Sequence, residues 1–314
     1  MPLNNPLTPI LARDPFLTLD GALATELEAR GCDLADSLWS AKVLLEQPEL
    51  IYQVHLDYFR AGAQCAITAS YQASEAGFAT RGIDAPLARE LMMKSVALAR
   101  EARADYLKEK PQDGPLLVAG SVGPYGAFLA DGSEYRGDYR LSTAQFADFH
   151  RPRIAALVEG GVDLLACETL PSFSELQALT ALLAQAFPHT GAWFTFTLRD
   201  AEHLSDGTPL SQVAAHLNAC TQALALGINC VALESTDAAL RHLSSLTALP
   251  LVVYPNSGET YDAASKRWSH GAEGCHRLVD HLPAWRDAGA RLIGGCCRTT
   301  PTDIAALAAI RRQA

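Results

Sequence analysis

The stretch Val162-Asp163-Leu164-Leu165-Ala166-Cys167-Glu168-Thr169 carries a short apolar run directly into a carboxylate. Short runs of this kind are typical of buried strands in a parallel sheet. A buried, unpaired carboxylate costs free energy unless a ligand or a proton offsets its charge. The stretch therefore predicts a strand over Asp163–Ala166 that delivers Glu168 to a functional site.

Similar runs recur along the whole chain and alternate with helical patterns. Seven further strands are predicted: Phe16–Leu19, Cys65–Thr68, Leu116–Ala119, Ala192–Phe196, Leu224–Ile228, Leu251–Tyr254 and Arg291–Ile293. Apolar residues recur at helical spacing in segments between and after them: Arg89–Ala102, Ala144–Glu159, Ser174–Ala186, Ser211–Gln222, Thr236–Leu246 and Pro301–Arg311. Eight alternating units predict a (β/α)₈ TIM-type barrel, an α/β fold formed as a single domain by residues 1–314.

A doubly wound open sheet is the competing architecture, because it is also built from alternating strands and helices. The sequence lacks the Gly-x-Gly-x-x-Gly fingerprint that opens the first helix of dinucleotide-binding folds, and Gly120–Gly126 has a different spacing. Two segments, Pro124–Tyr139 and Tyr254–Gly271, are predicted as long functional loops. The pattern favours the barrel.

Composition and charge restrict the class of protein. Hydrophobic residues make up 49% of the 314 residues and charged residues 19%, which is typical of a globular chain. A formal charge of −10 argues against binding to nucleic acid or to anionic membranes. The eight cysteines show no disulfide framework, so reduced thiols are expected. Without a signal peptide or an apolar run long enough to span a bilayer, the chain is predicted to be cytoplasmic.

The stretch Gly294-Gly295-Cys296-Cys297-Arg298-Thr299-Thr300 indicates a metal site. Neighbouring side chains of a strand point to opposite faces, so two consecutive ligands converge only where the backbone bends, and the two glycines permit that bend. Cys230 is the best candidate for a third thiolate. Three protein ligands leave one position open, as in a catalytic zinc site. The alternative is that these cysteines are small buried hydrophobes.

Polar residues follow several predicted strands, at the end where barrel active sites lie. Asp20 follows the first strand and Glu168 the fourth. Asp20 also fits an Asp-Gly turn that only starts a helix. Two carboxylates beside an open zinc position suit a small molecule that carries both an amino group and a thiol.

Three segments together resemble the homocysteine S-methyltransferase family: Asp20-Gly21, Gly227–Cys230 and Gly294–Arg298. Further segments that resemble the family are Leu38–Ser40, Ile67–Ser74, Gly120–Ala127 and Tyr254–Gly258. The resemblance covers nearly the whole chain. It is closest to the short, cobalamin-independent bacterial enzymes that use S-methylmethionine as methyl donor.

The resemblance implies a role for each matching residue. It implies that Cys230, Cys296 and Cys297 are zinc ligands, with the sulfur of homocysteine as the fourth. It implies that Asp20 and Glu168 hold the amino group of homocysteine. The backbone amides of Gly21 and Ala22, together with Thr68, match the pocket for its carboxylate.

The donor side of the site is predicted to be aromatic. Trp39 matches an aromatic residue near the methyl donor in betaine-using relatives, whereas Gln72 stands where those relatives carry a donor-site tyrosine. Trp39, Tyr71 and Tyr125 are candidates to hold a sulfonium by cation–π contact, worth about 0.5–2 kcal/mol each. Ordinary packing is the alternative for all three aromatic side chains.

The predicted function is zinc-dependent transfer of a methyl group from S-methylmethionine or S-adenosylmethionine to homocysteine thiolate, which forms methionine. The expected cofactor is Zn²⁺, and the expected partners are these small molecules. One alternative is methylation of selenocysteine or another thiol by the same chemistry. The others are a zinc-dependent barrel lyase and a non-catalytic barrel whose zinc is structural.

Overall fold

The architecture was read from a computed structural model, which describes residue 3 and residues 5–32, 40–257, 260–262, 267–269 and 277–313. Eight parallel strands of these residues form one sheet: β1 Leu17–Thr18, β2 Cys65–Ile67, β3 Leu117–Val122, β4 Leu164–Leu170, β5 Ala192–Phe196, β6 Ala223–Asn229, β7 Leu251–Tyr254 and β8 Ala290–Ile293. Each of the eight predicted strands is confirmed.

The sheet closes on itself. From β2 to β8 each strand pairs with the next in chain order, and β8 pairs with β1 through Leu292 and Leu17. A parallel bridge between Leu19 and Cys65 joins the β1 edge to β2. The fold is therefore a (β/α)₈ TIM barrel, as the alternating pattern predicts.

Helices surround the barrel. The described helices are α1 Thr8–Arg13, α2 Leu23–Ala29, α3 Ser40–Glu46, α4 Pro48–Ala61, α5 Glu75–Ala79, α6 Ala85–Glu109, α7 Tyr125–Leu129, α8 Thr143–Gly160, α9 Phe173–Ala186, α10 Leu210–Asn218, α11 Thr236–Ser244, α12 Leu278–Asp287 and α13 Pro301–Gln313. Ser142 and Gln145 form a capping box at the start of α8, and Gly161 ends that helix in the left-handed conformation. None of the described helices is long and apolar enough to cross a membrane.

Alternate residues of each strand enter two different cores. Leu164 and Ala166 of β4 pack inside the barrel, whereas Leu165 and Cys167 pack against the surrounding helices. Helix α1 packs on the interior cluster, and the guanidinium of Arg291, at the start of β8, donates to the backbone oxygen of Leu11 at 2.8 Å. This end of the barrel is therefore filled, which leaves the carboxyl ends of the strands for a site.

The two segments predicted as long loops contain regular secondary structure. The first, Pro124–Tyr139, contains α7 and a 3₁₀ turn, Ser133–Tyr135. The second, Tyr254–Gly271, lies partly outside the described residues, and its described part pairs Thr260–Asp262 with Arg267–Ser269 as antiparallel strands.

Gly227 of β6 is required by the close approach of β7. A Cβ atom at this position would lie 1.8 Å from the backbone oxygen of Val252. We expect Gly227→Ala to destabilise the fold by about 3 kcal/mol or more, because a backbone atom of a central strand cannot move aside. Urea denaturation followed by circular dichroism measures the loss.

Gly120→Ala in β3 is the matched control for this substitution. A Cβ there would meet side-chain atoms of Leu165 and Val162 at 3.1 Å, and side chains can shift. A Gly227→Ala protein as stable as Gly120→Ala would contradict the packing argument.

Candidate functional site

A cleft of about 140 Å³ opens at the carboxyl ends of the barrel strands. Its walls come from residues that follow or end six strands, β1, β2, β3, β4, β6 and β7, and from the segment after β8. The polar and sulfur-bearing residues of the lining include Asp20, Thr25, Thr68, Tyr71, Ser121, Glu134, Tyr135, Glu168, Thr169, Asn229, Cys230, Tyr254, Cys296 and Cys297. Residues distant in sequence thus meet in one cleft.

Three cysteine sulfurs form a cluster in this cleft. The Sγ atoms of Cys230, Cys296 and Cys297 all lie within 4.8 Å of one another, and the three residues are half-buried. Cys230 directly follows β6 and takes the left-handed conformation, with φ at 51°. The backbone amide of Cys296 donates to the oxygen of Pro255 at 2.7 Å, which ties the cysteine pair to the end of β7.

The structure joins Cys230 and Cys296 as a disulfide, whereas the sequence analysis expects reduced thiols. Their Cα atoms are 5.6 Å apart, a separation at which disulfides form. The Sγ of Cys297 lies 4.0 Å from that of Cys296. Only the reduced form of the cluster offers three thiolates, the soft ligands that suit zinc. In that form the donor set fits a metal ion with one open position.

The sequence predicts that Gly294 and Gly295 permit the bend through their conformational freedom, and this physical reason is wrong. Neither Gly294 nor Gly295 has a positive φ, so the bend does not need their conformational freedom. Both are required by close contacts instead. A Cβ at Gly294 would lie 2.7 Å from the backbone oxygen of Asp20.

Glu168, in β4, is buried and held by two hydroxyl groups. The hydroxyl of Ser121 donates to Oε1, and the hydroxyl of Tyr254 donates to Oε2 at 3.0 Å. Burial raises the pKa of the Glu168 carboxyl to about 7, although both hydrogen bonds lower it. The group is therefore poised to change charge near neutral pH.

Asp20 is buried at the end of β1. Its Oδ2 accepts a hydrogen bond from the backbone amide of Ile67 at 2.8 Å. Burial raises the pKa of the Asp20 carboxyl well above its usual value, and the charge of Glu168 raises it further. Two carboxylates close enough to repel each other form a site for a cation.

The residues predicted for a carboxylate pocket lie in the cleft, but the polar groups of Ala22 and Thr68 have protein partners. The amide of Ala22, next to Gly21, donates to Oγ1 of Thr299 at 3.2 Å. Oγ1 of Thr68 accepts from the amide of Ser121 at 3.0 Å. Their role in binding a ligand stays a prediction.

The three aromatic candidates differ in position. Tyr71 lines the cleft. Tyr125 is not part of the lining and packs in an aromatic cluster, with its ring 5.0 Å from that of Phe149 and 5.5 Å from that of Phe128. In the structure Tyr125 therefore packs against other aromatic rings, which is the alternative given for it above. Trp39 lies outside the described residues.

Several lining residues were missed by the sequence analysis. Asn229 exchanges two 2.8 Å hydrogen bonds with Thr169, which has a φ of 62° and directly follows Glu168. Tyr254 and Ser121 hold the Glu168 carboxylate. Tyr254 ends β7 and Ser121 lies near the end of β3, so a search of the strand ends would have found both. Glu134 had no such signal, because it comes from a predicted loop.

A closed (β/α)₈ barrel with three cysteine sulfurs and two buried carboxylates at one cleft is an arrangement typical of one class of protein: barrel enzymes that can hold a metal ion by thiolates. The family model described as homocysteine S-methyltransferase matches residues 17–311, and the chain belongs to this family. It is accordingly a methyltransferase.

Similar proteins span the whole chain. The homocysteine S-methyltransferase of Escherichia coli strain K12 is 68% identical over 309 residues, which cover 98% of this chain and 99% of that protein. The homocysteine S-methyltransferase YbgG of Bacillus subtilis strain 168 is 51% identical over 312 residues, 98% of each chain. The solved metallated form of the E. coli homocysteine methyltransferase MmuM has a TM-score of 0.90 and 65% identity, covering 98% of this chain and 100% of that chain.

Proposed function

We propose that this protein transfers a methyl group from a sulfonium donor, S-methylmethionine or S-adenosylmethionine, to the thiolate of homocysteine and so forms methionine. The observation that carries the proposal is the meeting of three cysteine sulfurs and two buried carboxylates in one cleft. The cysteines suit a metal-held thiolate, and the carboxylates suit an ammonium group. Homocysteine carries both.

We propose zinc as the metal, held by Cys230, Cys296 and Cys297. When bound, zinc lowers the pKa of a ligand thiol, so the sulfur of homocysteine is a thiolate near neutral pH. The three ligands must be reduced, which suits a cytoplasmic protein.

The ammonium group of homocysteine is proposed to bind between Asp20 and Glu168. Burial strengthens each attraction, because water is excluded from both carboxylates. Ser121 and Tyr254 orient the Glu168 carboxylate through its two oxygens. The amino acid is thereby held with its thiol directed to the cysteine cluster.

The methyl transfer is a single displacement. A new bond forms between the sulfur of homocysteine and the methyl carbon, while the bond from that carbon to the sulfonium sulfur breaks. The bonding pair stays on the departing sulfur, which becomes a neutral thioether. No proton moves in this step, so the chain needs no general base for it. The cleft accelerates the step by aligning the two sulfurs with the methyl carbon.

Donor assays with reduced, zinc-loaded protein test the proposal. Homocysteine is supplied with S-methylmethionine, S-adenosylmethionine or betaine, and methionine is quantified. We expect methionine from the two sulfonium donors and little from betaine. A protein with stoichiometric zinc that makes no methionine from any donor would sink the proposal in favour of a lyase or a non-catalytic barrel.

A further inference from the structure

Glu134 brings a third carboxylate to the cleft, from the 3₁₀ turn Ser133–Tyr135 that follows α7. The turn is firmly held. Oγ1 of Thr197 donates to the backbone oxygen of Glu134 at 2.9 Å, and Gly126 of α7 packs so closely that a Cβ there would lie 2.6 Å from the Glu134 nitrogen. Only 6% of Glu134 is exposed. The backbone that carries this carboxylate is therefore held in the wall of the cleft.

Described groups offset the charge of this carboxylate only in part. Oε2 of Glu134 is buried and has no hydrogen-bond partner among the residues that the structure describes. The guanidinium of Arg136, two residues away, attracts the Glu134 carboxylate, but it is itself bonded to Asp138 at 2.9 Å. Burial raises the pKa of the Glu134 carboxyl. Because a buried carboxylate oxygen without a partner is costly, a cationic ligand group is the partner that the cleft lacks.

Glu134 reaches the cleft from a different element than the other two carboxylates. Asp20 follows β1 and Glu168 lies in β4, whereas Glu134 comes from the turn after α7. The lining of the cleft also includes Tyr71, which follows β2. Glu134 is therefore a third carboxylate that is separate from the pair at the strand ends.

We infer that Glu134 binds the α-ammonium group of the methyl donor and so selects sulfonium donors that are amino acids. This inference rests on the proposed function, in which Asp20 and Glu168 already take the ammonium group of homocysteine. A donor such as S-methylmethionine brings a second ammonium group, and Glu134 is the described carboxylate of the cleft left to receive it.

The donor's other positive charge, on sulfur, is a poorer partner for Glu134. That charge disappears as the methyl group leaves. A carboxylate against it would stabilise the bound donor more than the transition state and would slow the reaction. The ammonium charge does not change during transfer. A carboxylate on the ammonium group therefore adds affinity for the donor without opposing the chemical step.

Glu134→Gln tests whether Glu134 binds the ammonium group or the sulfonium group of the donor, because the substitution removes the charge and keeps the size of the side chain. The probes are S-methylmethionine and dimethylsulfoniopropionate, a sulfonium carboxylate without an amino group. Binding of each probe is measured by calorimetry, and KM by methionine formation. Asp138→Asn is the matched control, since it removes an exposed carboxylate from the same segment.

We expect Glu134→Gln to weaken binding of S-methylmethionine by about 10- to 100-fold. In the same variant, the affinity for dimethylsulfoniopropionate and the KM for homocysteine should change by less than about 3-fold. In the control Asp138→Asn, the affinity for each of the two donors should also change by less than about 3-fold. The preference for the amino-acid donor should therefore be smaller in Glu134→Gln than in the wild type.

Two results would overturn the inference. One is an equal loss of affinity for both donors, which would place Glu134 at the sulfonium group. The other is unchanged binding of S-methylmethionine. Calorimetry needs no turnover, so it separates this inference from the proposed function. A wild-type protein that binds S-methylmethionine through Glu134 but forms no methionine would refute only the proposed function.

Discussion

Cys297→Ser is expected to abolish stoichiometric zinc binding and to lower the rate of homocysteine methylation by at least about 100-fold. Loss of an outer partner of a metal ligand already costs about 10- to 100-fold, and loss of the ligand itself costs more. The serine hydroxyl is a poor replacement because it stays protonated near neutral pH. Zinc content of the purified, reduced protein and methionine formation are the two measurements.

Cys220→Ser is the control for this prediction. Cys220 is half-buried and is not part of the cleft lining, so its variant should keep both zinc and activity. A Cys297→Ser protein that retains one zinc per chain and full activity would show that the cysteine cluster does not hold a catalytic metal.

Glu168→Gln is expected to weaken amino-acid binding by about 30-fold or more, because it leaves an ammonium group without one of its charged partners. Methionine, the proposed product, is the better probe, since it carries the ammonium group but no thiol that titrates. The pKa of Glu168 is about 7 in the folded protein, so the wild-type affinity for methionine should rise as pH increases from 6 to 8. The variant should lose most of this rise.

Calorimetric titrations at pH 6, 7 and 8 test the expectation, with the exposed Glu28→Gln as control. Affinities of wild type and Glu168→Gln that differ by less than about 3-fold at pH 8 would remove Glu168 from the ammonium site.

The same carboxyl makes stability depend on pH. Its pKa rises from a usual value of 4.5 to about 7 on folding, so the folded state binds the proton more tightly. This contribution to stability is fully present below about pH 4.5 and is lost as pH rises through 7. The free energy of unfolding of the wild type, relative to that of Glu168→Gln, should therefore fall between pH 5 and pH 8. Urea denaturation at both pH values measures it.

The fold was predictable because strand and helix periodicities are local properties of the sequence. The strands Ala192–Phe196 and Leu251–Tyr254 were predicted to the residue. The barrel rule, which puts active-site residues at the carboxyl ends of the strands, then predicts that Asp20, Glu168 and Cys230 meet at one cleft.

Contacts across the barrel were not predictable in this way. The need for glycine at Gly294 comes from the backbone of Asp20, which lies more than 270 residues away in the chain. The Cys230–Cys296 disulfide likewise joins residues separated by 66 positions. Tyr125 lies outside the cleft lining because its ring packs against Phe146 and Phe149 of α8.

The sequence by itself determined the barrel, the cysteine cluster and the two carboxylates at the strand ends, because each depends on local periodicity or on a short motif. Only the tertiary structure decided which hydroxyls hold Glu168, how far burial raises its pKa, and that Glu134 turns into the cleft from a segment predicted as a loop. Burial and hydrogen bonding are set by residues far apart in the chain, and these two effects decide the charge of each carboxylate.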